Sequence, residues 1–213
     1  MEPDKKTESI SSIIRTEWEL FDQVQNIGGR ASCQDNWSTF QIMRSSQLLS
    51  WPQELLSSYH DDLLEAKAAG RNPFSEKYGY MMERTCPAEY DKIRHLLPPP
   101  DEAKRCLAES VCHIQTGWQE EIADRWPYLA HRGRAIHTRE DSPHGTSFET
   151  YLWGELLSYS EKTLVLYARH VEEVLQKGLN LNQQILEHTV SQYGYHSLDE
   201  AENELRSRFQ TAT

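Results

Sequence analysis

Apolar residues recur along most of this chain at three- and four-residue steps, the period of a helix with one buried face. Ile10, Ile13, Ile14, Trp18, Phe21 and Val24 mark a first helix of about five turns, with Gly28 as its stop. After the polar turn GGRASCQDN, capped by Asp35 or Ser38, comes a helix carrying Phe40, Met43, Gln47 and Leu48. It meets the next at Ser50, where Leu55, Leu56, Tyr59, Leu63 and Ala66 form a stripe closed by Gly70. Tyr78, Met81 and Met82 lie on a fourth helix ended by Pro87, which opens AEYDKIRHLL before the triple-proline corner at 98–100. A long helix from Asp101 shows Leu107, Val111, Ile114, Trp118, Ile122 and Trp126.

Residues 127–145 lack periodicity and gather His131, Arg132, Arg134, His137, Arg139, Asp141 and His144, predicting one long loop. Thr146 and Glu149 have capping-box spacing. They open a helix that runs through Tyr151, Leu152, Leu156, Tyr159, Leu164, Leu166, Tyr167, Val171 and Val174 to Gly178. Two shorter helices follow, one over Leu181 to Gln192 before Gly194, the other opened by Ser197 and Glu200. No period-two alternation and no fixed-length repeat occurs. The expectation is an all-α, single-domain multi-helix bundle of about eight helices, three of them long and central. The domain spans 1–213, with polar tails at 1–6 and 210–213.

Three carboxylates break the pattern. Glu17 lies four after Ile13 and four before Phe21, Asp62 lies three after Tyr59, and Glu155 lies three after Leu152 and four before Tyr159. A carboxylate facing a core must be paired, metal-bound or protonated. Glu17, Asp62 and Glu155 are therefore the candidate catalytic set, as acid/base groups or metal ligands. A di-iron bundle also needs Glu-x-x-His steps, which are absent, so metal and cofactor stay open.

The net charge of −11 removes the clustered cations that nucleic acid or an anionic membrane would require. Small ligands, a protein partner or a second copy of the chain fit better. No signal-like start and no apolar run of about 20 residues occurs, so a cytoplasmic protein is expected. Cys33, Cys86, Cys106 and Cys112 form no CxxC pair and read as free thiols. There is no GxSxG elbow and no glycine-rich phosphate loop.

Six Trp and ten Tyr make the apolar part amphipathic. Trp37, Tyr151 and Tyr159, with Gln41, Arg44, Asn72 and Arg134, are the candidate substrate-binding residues of a polar-aromatic pocket suited to an amino-acid-like or other small zwitterionic ligand. Arg44, Arg71 and the loop arginines could also hold an anion above the helix start at 146–149. The first functional expectation is an enzyme acting on a small polar or anionic substrate. The second is a non-catalytic ligand-sensing or protein-interaction module.

The strings GGRASCQDNWSTFQIMRSSQ, GRNPFSEKYGYMMERTCP, SFETYLWGELLSYSEKTL and YGYHSLDEAE, in that order, resemble a mainly bacterial family catalogued as domain of unknown function four-one-two-five. The resemblance covers nearly the whole chain. It implies one self-contained domain, sometimes encoded beside or fused to nucleotidyltransferase-like proteins, and brings no reaction or catalytic residue with it.

Overall fold

Most helices begin where a short polar side chain can take up free backbone amides. In the computed structural model, which describes residues 5–25, 29–142 and 145–211, Asn36 accepts from Thr39 N, Asn72 from Phe74 N and Ser75 N, and Asp101 from Lys104 N. Ser147, Ser160 and Asn180 cap in the same way. Among the described residues the chain forms eleven α-helices and no strand. They are α1 (Lys5–Asp22), α2 (Trp37–Leu49), α3 (Gln53–Ala68), α4 (Pro73–Thr85), α5 (Pro87–Ile93), α6 (Glu102–Arg125), α7 (Pro127–Ala130), α8 (Phe148–Ser158), α9 (Glu161–Gln176), α10 (Leu181–Gln192) and α11 (Leu198–Thr211).

Several expectations change. The predicted helix from 146 to 178 is two helices, because Ser160 opens α9 with its own cap while the apolar period runs unbroken across the corner. Both ends of the cut are satisfied: Lys104 Nζ donates to Tyr159 O at 2.6 Å, and Asp62 Oδ2 accepts from Ser160 N at 2.9 Å. The cap of α8 is Ser147, not Thr146, and Glu149 instead accepts from Thr138 N. Asp35 pairs with Arg30, leaving the α2 cap to Asn36. The 127–145 stretch holds α7 and a 3-10 turn at Thr138–Glu140, so it is less of a loop than its sequence suggests. The stop at Gly28 and His144 lie outside the described residues. The buried Gln34 side chain donates to Phe21 O in the last turn of α1 and to Val24 O just beyond it. The expected polar tails are partly helical, since α1 starts at Lys5 and α11 reaches Thr211.

One apolar core gathers Ile13, Leu55, Leu56, Leu63, Val111, Leu156, Tyr167 and Val171 around the fully buried Trp51, whose ring meets those of Tyr59, Tyr159 and Tyr167. A satellite core of Ile122, Trp126, Val190, Leu198 and Ala201 seats α11. Gly178 closes α9 at φ +66°, a conformation that glycine adopts without steric cost. At Gly154 of α8 the backbone of α4 comes very close. A Cβ on Gly154 would lie 2.5 Å from Met81 Cγ and 2.7 Å from Lys77 O. Glycine at 154 thus brings Lys77 against the turn of α8 that carries Glu155. Among the described residues no helix is long and apolar enough to cross a membrane.

Candidate functional site

Glu17, on the inward stripe of α1, is fully buried and takes a two-pronged contact from Arg44 on α2. Nε reaches Oε2 at 2.9 Å and Nη2 reaches Oε1 at 2.5 Å, the fork geometry that suits guanidinium to carboxylate. Tyr59 of α3 adds a third bond, OH to Glu17 Oε1, at 2.8 Å. The other side of the same guanidinium turns to α8: Nη1 donates to Gln47 Oε1 at 2.6 Å and lies 3.3 Å from Glu155 Oε1. Arg44 therefore bridges two of the three predicted carboxylates.

Glu155 has its own set of donors. Tyr159 OH, one turn on, reaches Oε1 at 2.9 Å, Gln47 Nε2 reaches it at 3.3 Å, and Lys77 Nζ of α4 stands 3.6 Å from Oε2. Lys77 donates to Tyr151 OH at 2.7 Å, and its ammonium lies 4.0, 5.2 and 5.3 Å from the ring centres of Tyr151, Phe74 and Tyr78. From the core outwards the order is Glu17, Arg44, Glu155, Lys77, Tyr151 and then Arg134, whose guanidinium covers the Tyr151 ring at 4.3 Å and donates to Thr146 O. Two carboxylates and two cations balance inside the protein, as buried charge must.

The electrostatics follow from burial set against this pairing. Burial alone would raise the Glu155 pKa, but Arg44 and Lys77, helped by Tyr159 and Gln47, hold it down at about 2. Burial works against the Lys77 ammonium, yet Tyr151 and Glu155 more than offset it, and its pKa is raised. Arg44 is likewise kept charged against burial by Glu17 and Glu155. Burial and the neighbouring carboxylates push the Tyr59 and Tyr159 phenols well up, so both remain donors. Beside the cluster is a cavity of ≈ 10 Å³ bounded by Arg44, Tyr59, Phe74, Lys77 and Glu155, room for about one water molecule.

The remaining predicted residues stand elsewhere. Asp62 is outside the cluster: its carboxylate holds the start of α9 and borders a wider cleft of ≈ 210 Å³ with Arg71 and Lys104. Asn72 is a cap, with Nδ2 tied to Leu20 O at 2.7 Å. Trp37 packs edge-on against Trp18, and Gln41 lies on the exposed face of α2. The expected anion site above the start of α8 is filled by Asp141, which accepts from Ser147 N and Thr150 Oγ1 at 2.6 and 2.7 Å. Arg71 is engaged by Glu76. Among the described residues no three His, Cys, Asp or Glu side chains are grouped as metal ligands.

Sequence reasoning missed Lys77. Its neighbours Glu76 and Tyr78 make it read as part of a solvated face, although it sits three after Phe74 and four before Met81, on their stripe. No curated protein and no solved structure proved similar to the chain. The family described as Protein of unknown function (DUF4125) matches it over residues 7–203, and the chain belongs to that family.

Proposed function

We propose that this chain is a single helical domain that senses a small zwitterionic, amino-acid-like ligand in the cytoplasm without transforming it. The observation that carries the reading is the charge-balanced set Glu17, Arg44, Glu155 and Lys77, drawn together from four helices, with Arg44, Glu155 and Lys77 bordering a cavity the size of one water. Such a set offers a carboxylate to a ligand ammonium and a cation to a ligand carboxylate. The 3.6 Å contact between Lys77 and Glu155 is the loosest in the set and the natural place for exchange. General acid/base work needs a pKa near the working pH. Glu155, Lys77, Tyr59 and Tyr159 are each displaced away from neutrality, which favours sensing over catalysis.

The test is a thermal-unfolding screen of amino acids and related zwitterions. At least one compound should raise the midpoint of the wild-type protein, and Glu155→Gln should lose that response. A panel without a stabilising compound would overturn the reading. A second reading, an enzyme acting on a small polar substrate, draws on the ≈ 210 Å³ cleft where the half-buried Lys104, its pKa lowered mainly by burial, faces Asp62. Consumption of a stabilising compound by the purified protein, lost in Lys104→Met, would favour that reading.

A further inference from the structure

We infer that the space around the Lys77 ammonium is a binding site for an alkylammonium group, filled here by the chain's own side chain. The inference rests on the reading above and deepens it: the ammonium end of the zwitterion takes this place only when the Lys77 side chain leaves it, a displacement that a simple amine without a carboxylate does not bring about.

A buried lysine normally spends its three protons on hydrogen bonds. Lys77 spends one, on Tyr151 OH at 2.7 Å, while Glu155 Oε2 lies at 3.6 Å, beyond hydrogen-bond range. What surrounds the rest of the ammonium is aromatic: Tyr151 at 4.0 Å, Phe74 at 5.2 Å and Tyr78 at 5.3 Å. Ring faces around a cation, with one carboxylate behind them, are the arrangement by which ammonium ligands are recognised. The water-sized cavity adjoins this cage along Lys77, Phe74 and Glu155. On the outer side Tyr151 is only partly buried and is covered by the exposed Arg134. The occupant is thus held by an internal wall and an exposed rim, and Gly154 of α8 lies close against the Lys77 backbone.

Lys77→Ala removes the atoms from Cγ to Nζ, which n-propylammonium replaces one for one. The variant is unfolded thermally in n-propylammonium chloride, in 1-propanol and in sodium chloride at equal concentrations. Propylammonium at ten times its Kd should raise the midpoint of the variant by roughly 3–6 °C and leave the wild type unchanged, with propanol much weaker. Equal effects of amine and alcohol would reduce the site to a plain cavity and overturn the inference.

Should Lys77→Ala fail to fold in salt alone, recovery in propylammonium but not in propanol supports the inference, and no recovery overturns it. Lys77→Ala combined with Glu155→Gln removes both charges and should bind propylammonium about tenfold more weakly than the single variant; undiminished binding would remove Glu155 from the site. The amine is supplied directly to the variant. Failure of the zwitterion screen on the wild type is therefore distinguishable from failure of the cage.

Discussion

Gly154→Ala isolates the close approach of α4 and α8. The added Cβ would stand 2.5 Å from Met81 Cγ and 2.7 Å from Lys77 O, each about 1 Å inside ordinary contact. Met81 can turn aside, but Lys77 O is backbone, so α4 itself must shift. Forced overpacking of this kind costs up to about 3 kcal/mol. Alanine returns up to about 1 kcal/mol through helix propensity, leaving a net loss of about 2 kcal/mol and a midpoint lowered by about 4–8 °C. Gly79→Ala is the internal control. It is also helical, and its Cβ would meet Leu97 Cδ2 at 2.9 Å and Cδ1 at 3.0 Å, the far end of a side chain. The propensity gain is common to both variants, so their difference reports the backbone overlap alone. Urea and thermal unfolding of the two side by side supply the measurement. Stabilities within about 0.5 kcal/mol of each other would refute the claim that glycine at 154 sets the α4–α8 distance.

Glu17→Ala strips the fork from Arg44 and should cost about 3–5 kcal/mol, whereas Glu17→Leu with Arg44→Met should cost less because no charge is orphaned; denaturant midpoints decide the order. Acid should weaken the protein through Glu155. Its folded pKa of about 2 lies below an unfolded value near 4.3, so the stability it adds is complete above about pH 5 and is lost as pH falls towards 2. That amounts to about 3 kcal/mol, and Glu155→Gln should flatten the pH dependence of unfolding in this window. Asp141→Ala frees Ser147 N and the Thr150 hydroxyl, at about 1–2 kcal/mol. Limited trypsin digestion should then cut faster at Arg132, Arg134 and Arg139, and an unchanged digestion rate would show that the loop is pinned by other contacts.

The apolar stripes carried most of the fold because burial obeys the helical period: Ile13, Leu55, Leu63, Val111, Trp118 and Leu156 are all buried. Glu17 and Glu155 were legible as buried carboxylates for the same reason, each being a charge where the period demands an apolar group. Asp62 shows the same spacing and a different outcome, since it is half-buried and meets the α8–α9 corner, where a backbone amide is available to it. Lys77 was hidden because a long side chain between polar neighbours gives no local sign of its partner 78 residues on. The Ser160 break was masked by continuity of the stripe, although Ser160 followed by Glu161 is itself an acceptable helix start. Helix existence is written locally, whereas the pairing of buried charges is settled only when helices meet.

Because the two carboxylates of the Glu17–Arg44–Glu155–Lys77 cluster cancel its two cations, the net charge of −11 resides elsewhere in the chain. Outer and inner electrostatics are thereby insulated from one another. Mobile ions screen exposed charges over a Debye length of about 8 Å at physiological ionic strength and reach a dry interior far less. Added salt should relieve the mutual repulsion of the acidic exterior while leaving the Glu17–Arg44–Glu155–Lys77 chain untouched. Ionic strength is therefore a dial for the surface alone, and pH below about 5 a dial that also reaches the centre.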